Sequence, residues 1–207
     1  MTDILIGGDV KKLETNCNKK LSGFVGKLNQ YSNTMKKHSA ELKLIAADLV
    51  VRSQQLQKLE NIKPENLKCY SVDQRDRVLS EILCQANVQV ITANRLITEL
   101  EDFHRELKAE YRNLSALANV LQITTAESFL LVGDCRQKPI TYYLENACQV
   151  LHIWMLYQRS LHILLNRIDM RNDDSIRQFE TMTPIPQHLS ANLDRYLLFS
   201  TFLLAQK

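Results

Sequence analysis

Apolar residues recur alternately three and four positions apart along the first third of the chain: Leu21, Phe24, Leu28, Tyr31, Met35, His38, Leu42, Ile45, Leu49, Arg52, Leu56 and Leu59. Only His38 and Arg52 interrupt the series. A surface helix of a globular protein carries a wider, looser stripe, so this strict seven-residue repeat predicts the seam of a coiled coil. A second run repeats the spacing over Leu83, Ala86, Val90, Ala93, Ile97, Leu100, His104, Leu107, Tyr111, Leu114, Ala118 and Leu121. Between the runs, Pro64 disfavours helix at Lys63. Ser71 with Gln74 three residues on is a capping-box pattern that starts a helix at Val72. A connector of about eight residues forces the helices antiparallel.

Geometry narrows the register. Helices ending near Lys63 and starting near Val72 should place Leu49 opposite Ala86, Met35 opposite Leu100 and Phe24 opposite Tyr111. A register one heptad longer stacks Tyr31 on Tyr111, His38 on His104 and Phe24 on Ala118, but leaves two turns overhanging; the shorter is preferred. Histidines on the seam suggest either a pH-sensitive layer or partly exposed residues with one ring nitrogen satisfied. Arg52 should snorkel outwards.

The last third is less regular. Residues 124–139 read as a loop, with Gly133-Asp134 and Lys138-Pro139 as breakers. A helix follows from Ile140 to Ile168, with apolar residues around most of its circumference, which predicts burial on more than one side. Asp173 or Asp174 can cap a short helix over Ser175 to Met182. Thr183-Pro184-Ile185-Pro186 is a rigid break before a last helix, Gln187 to Ala205. The fold class is therefore all-α: a long antiparallel coiled-coil hairpin with a C-terminal set of two to three helices packing on it. Its organisation reads as a flexible N-terminus (1–12), the hairpin (13–123), a loop (124–139) and the C-terminal helices (140–207). Aromatics and prolines of the last third, Trp154, Tyr157, Pro184, Pro186, Phe199 and Phe202, are the candidate partner-binding residues. Thr183-Pro184 is a minimal proline-directed phosphorylation site.

Composition narrows the class. Only 5 Gly and 4 Pro in 207 residues argue against a many-stranded sheet. The net charge of +3 is too small to imply nucleic acid, but it is uneven: +5 over 1–63, −4 over 64–135 and +2 over 136–207. A basic helix beside an acidic one suits self-pairing, or pairing with another chain. Cys17, Cys69, Cys84, Cys135 and Cys148 are widely spaced, without a Cys-x-x-Cys, as free thiols in a reducing compartment would be. Every apolar run is too interrupted to span a membrane. Met1 to Val10 lacks the basic then apolar order of a secretory signal. The expectation is an intracellular protein with no membrane partner.

Candidate chemistry is sparse. Gly7-Gly8 and Gly23…Gly26 lack the context of a phosphate loop. Cys148 and His152 have the spacing of half a metal site, with no second pair. With Glu145 they could form a nucleophile set, but all three share one helix that reads as buried. No catalytic, cofactor-binding or metal-binding role is assigned, and the expectation is a non-enzyme. Asn113-Leu114-Ser115 is a glycosylation sequon inside a helix, and Arg-x-Leu triplets at Arg77, Arg105 and Arg112 use leucines on the second helix. Lys11, Lys12, Lys19, Lys20, Lys27, Lys36, Lys37 and Lys43 crowd the first helix and could meet phosphates. Sparse arginine and aromatic interleaving disfavour direct nucleic-acid binding.

The segments Pro139-Ile140-Thr141-Tyr142-Tyr143 and Leu156-Tyr157-Gln158-Arg159-Ser160-Leu161-His162-Ile163-Leu164-Leu165 resemble the cyclin-dependent kinase 2-interacting protein family. Asp173-Asp174-Ser175-Ile176 with Phe179 is similar to its acidic turn and short helix, and Thr183 to His188 to its proline-containing break. This resemblance covers about 70 residues, and the long helices fit the family's general arrangement. It implies a nuclear adaptor without activity of its own. Such a protein would bridge cell-cycle kinases to DNA-replication factors, support the DNA-damage checkpoint, and join an AAA-ATPase assembly that serves replisome turnover and ribosome biogenesis. A hetero-oligomer is the state this implies. The alternative is a structural coiled-coil subunit of another complex, such as a tether, kinetochore or spindle component.

Overall fold

A computed structural model describes residues 7–62, 72–124, 128–133 and 138–205, and six helices occur among them. They are α1 (Gly7–Glu60), α2 (Val72–Thr124), α3 (Phe129–Val132), α4 (Ile140–Leu165), α5 (Asp173–Met182) and α6 (Gln187–Ala205). About 90% of the described residues are helical, and no strand occurs among them. The two long helices pack against each other and the later helices pack on them, as the sequence pattern requires. Helix α1 starts at Gly7, ahead of the expected Leu13. It ends at Glu60, before Pro64, and α2 begins at Val72 as expected. Lys63, Pro64 and the Ser71 cap lie outside the described residues.

The chain forms two compact units. The first takes residues up to Thr34, Asp102–Met155 and Pro186 onwards. Its centre is Tyr31, fully buried, whose ring lies 5.2 Å from Phe103, 6.2 Å from His104 and 6.1 Å from Trp154. Phe24 meets Tyr111 at 6.4 Å. Residue numbers rise on α1 as they fall on α2, so the pair is antiparallel, and Phe24 opposite Tyr111 is the shorter register. Leu189, Leu193 and Tyr196 add the buried stripe of α6. Burial pushes the Tyr196 hydroxyl far above its ordinary pKa. Residues 124–139, read as loop, contain the single turn α3, with Ser128 donating to Glu14 at 2.5 Å. Gly133 ends that turn with φ 74°, a left-handed conformation that costs glycine nothing.

The second unit takes Met35–Glu101 and Leu156–Ile185. Met35, Leu42, Ile45, Leu49 and Leu56 are buried on α1, facing Ile82, Ala86, Ala93, Ile97 and Leu100 of α2. His38 Nε2 bonds Glu99 at 3.1 Å, which again fits the shorter register. Arg52 leaves the seam for its edge, reaching Asp48 at 2.6 Å and Gln85 of α2. Leu83, expected on the seam, is 40% exposed, and Ile82 is buried instead. The exchange is confined to the first turns of α2, since the predicted seam residues Ala86, Ala93, Ile97, Leu100, Leu107, Leu114, Ala118 and Leu121 are buried in phase.

Two further expectations change. Helix α4 ends at Leu165 rather than Ile168, and buries one broad face rather than more than one side, with Leu156 and Ile163 about half exposed. Helix α5 is capped by Asn172, whose side chain accepts from the Asp174 amide at 3.1 Å, and not by Asp173 or Asp174. Asp173 instead accepts from Ser53 at 2.6 Å and from Gln57 at 3.1 Å, tying α5 to α1.

Candidate functional site

Four of the sequence-predicted partner-binding residues take other roles or lie at turns. Trp154 is 2% and Tyr157 3% exposed, so both are core residues. Trp154 fills the aromatic cluster around Tyr31. Tyr157 donates to the Thr183 carbonyl at 2.7 Å, and Ser39 of α1 donates to the same oxygen at 2.7 Å. Burial raises the Tyr157 pKa to about 12, so it stays a donor. Thr183 is fully buried and its hydroxyl donates to the Glu180 carbonyl at 2.8 Å. A kinase could reach it only after this clamp opened, which corrects the phosphorylation expectation. Pro184 is exposed and Pro186 half-buried beside it. Phe199 and Phe202 fall within α6, but their side chains lie outside the described residues.

The candidate chemistry on α4 does not converge. Cys148 is exposed, and it lines a cavity of about 170 Å³ with His104, Lys108, Tyr111 and His152. Glu145 is exposed and is not part of that cavity. Among the described residues no three His, Cys, Asp or Glu side chains could hold a metal ion. The Tyr111 hydroxyl is raised by burial and by its hydrogen bond with Cys148. Burial, and then the nearby Lys108 charge, lower the His104 pKa below 6.5. The His104 ring has a buried Nδ1 with no hydrogen-bond partner, so the neutral ring is what this pocket accommodates.

A more developed surface lies on the other side of the first unit. A half-open cleft of about 500 Å³ runs between α1 and α2, with Lys19, Lys20 and Lys27 on its walls. Phe24 and Leu114 form its apolar floor, and Asn16 and Asn113 contribute amides. Gly23 opens it: a Cβ built there would meet nothing within 4 Å. Lys27 pairs with Glu110 across the cleft, and that hydrogen bond raises the Lys27 pKa. Lys19 and Lys20 have no carboxylate within ion-pair distance among the described residues. A shallower hollow of about 400 Å³ continues past Asn16 and Lys19 to Lys11 and Lys12. The lysine crowding was legible in the sequence. The cleft was not, because it depends on a glycine facing away from the seam next to the Phe24–Tyr111 pair.

The sequence pattern also passed over a second buried row on α1. Ser32, Ser39, Ala46 and Ser53 repeat every seven residues, and three of them are buried outright. In the second unit this row receives the later helices: Ser39 bonds the Thr183 carbonyl, and Ser53 bonds the Met170 carbonyl at 2.9 Å. Small residues at heptad spacing beside the main seam were the available signal. Gln158 is a further buried polar residue, donating to the Leu100 carbonyl at 3.1 Å. No helix among the described residues is long and apolar enough to cross a membrane. No family model, curated protein or solved structure matches the chain.

Proposed function

We infer that this protein is a non-enzymatic adaptor, and that it docks an acidic segment of a partner protein in the lysine-walled cleft of its first unit. The observation that carries the reading is the cleft itself: Lys19 and Lys20 are unneutralised beside an apolar floor. Polar walls around a small apolar floor are what a peptide side chain with an acidic neighbour would fill. Nucleic acid fits less well, because no arginine lines the cleft and its one aromatic ring, Phe24, is buried and offers no face for a base to stack on. Direct nucleic-acid binding is therefore disfavoured.

The family resemblance of the C-terminal third gives this adaptor a setting. It would be a nuclear protein that joins cell-cycle kinases, replication factors and an AAA-ATPase assembly, within hetero-oligomers that act in DNA replication, the checkpoint and ribosome biogenesis. Affinity purification from the native cell followed by mass spectrometry tests this, run with the wild type and with Lys19→Glu/Lys20→Glu. Recovery of AAA ATPases or replication factors by the wild type, lost with the variant, is the expected result. Recovery of only tethering or spindle subunits would overturn the setting. Equal recovery by both proteins would overturn the role of the cleft.

A further inference from the structure

Helix α1 carries a second heptad stripe, on the face opposite its seam with α2. Ala40, Leu44, Ala47 and Val51 follow one another at spacings of four, three and four, and all are exposed. Leu44 is 72% and Val51 51% exposed, among the larger exposures of apolar side chains in the protein. Among the described residues, nothing in the second unit covers this stripe. Two leucine or valine layers alternating with two alanine layers would let another helix approach closely. Lys37 precedes the stripe and Lys58 follows it in the same phase, so the apolar part is about two heptads long.

The edges of the stripe indicate what covers it. One edge carries Glu41 and Asp48, and the other carries Lys36 and Lys43. In a parallel, in-register pair of identical helices, each edge meets the opposite edge of the partner. Lys36 then faces Glu41 of the second copy, and Lys43 faces Asp48. In an antiparallel pair, lysine would meet lysine and carboxylate would meet carboxylate, which is repulsive. Glu41 and Asp48 keep side-chain exposures of 41% and 36% beside their intrahelical partners Lys37 and Arg52, so both remain accessible. We propose that α1 forms a parallel, two-fold homodimer through the Ala40–Leu44–Ala47–Val51 stripe, with its register set by the Lys43–Asp48 and Lys36–Glu41 pairs. This interface is separate from the lysine cleft and does not depend on it.

Four apolar layers make a small interface, so association should be weak and concentration-dependent. Sedimentation equilibrium of the full chain from about 5 µM to about 1 mM covers the range of such contacts. The expected result is a mass rising from 23.9 kDa toward twice that value. Leu44→Glu should weaken association by at least about tenfold, and Val51→Lys should do the same, while circular dichroism stays unchanged because both sites are exposed. Lys43→Glu and Asp48→Lys should each weaken it, and the double variant should recover most of the loss. A chain that stays monomeric throughout would overturn the proposal. So would self-association indifferent to Leu44→Glu, a double variant no better than the singles, or a stripe that binds an unlike helix with no self-association.

Discussion

Leu44 and Leu49 lie five residues apart on α1, and the structure gives them opposite fates. Leu49 is fully buried on the seam, whereas Leu44 is 72% exposed. Replacing each by alanine therefore separates the two faces of the same helix. Leu49→Ala removes buried methyl groups and leaves a cavity beside Ile45 and Ala86, a change that costs about 2 to 5 kcal/mol. The flanking helices are long and cannot collapse locally onto the gap, which places the loss near the middle of that range, about 3 kcal/mol. At roughly 2 to 4 °C per kcal/mol for a chain of this size, the melting temperature should fall by about 6 to 12 °C. Leu44→Ala exchanges an exposed residue for the best helix former and should stay within about 0.5 kcal/mol of the wild type. Urea unfolding followed by circular dichroism measures both, at a few micromolar so that association does not contribute. Equal losses at the two positions would refute the assignment of faces on α1.

Other perturbations probe other parts of the fold. Tyr157→Phe removes one of two hydroxyls on the Thr183 carbonyl; a loss of about 1 kcal/mol in urea unfolding is expected, because Ser39 still satisfies the oxygen. Gly23→Ala should stabilise the protein by up to about 1 kcal/mol, since the position is helical and its new Cβ meets open space; a loss would show that the site is constrained. His104 binds a proton less readily folded than unfolded, so its contribution is intact above the unfolded value of 6.5 and is lost as pH falls below it toward the lower folded value. The fall in stability between pH 7.5 and 5.5 should accordingly be smaller in His104→Gln than in the wild type, and an identical fall would sink that assignment.

The two long helices were legible because a strict heptad repeat leaves little choice of partner face. The register was legible from the short connector, because the longer alternative leaves two turns overhanging, and the Phe24–Tyr111 contact bears it out. The repeat does not distinguish the first turns of α2, where Ile82 is buried and Leu83 exposed, from the turns that follow. It also could not show three-body packing. Trp154 and Tyr157 looked like partner anchors because aromatic residues mark interfaces and cores alike. The Ser39 and Ser53 hydroxyls that receive Thr183, Met170 and Asp173 belong to contacts more than a hundred residues apart, which local spacing does not encode. The Thr183-Pro184 pair carries no information on burial, which follows from a clamp assembled by Ser39 of α1 and Tyr157 of α4. The lysines of the candidate cleft were visible as a crowd, but the cleft arises from Gly23, Phe24 and Leu114 meeting in space.

The docking of an acidic partner segment at Lys19 and Lys20 is tested most directly by titrating the captured partner, once purified, against the wild type and Lys19→Glu/Lys20→Glu at two salt concentrations. Both lysines are exposed, so the variant should keep the fold. The expected result is affinity weakened about tenfold or more by the double reversal, and weakened by added salt in the wild type but not in the variant. Equal affinities, with the same salt response in both proteins, would contradict it.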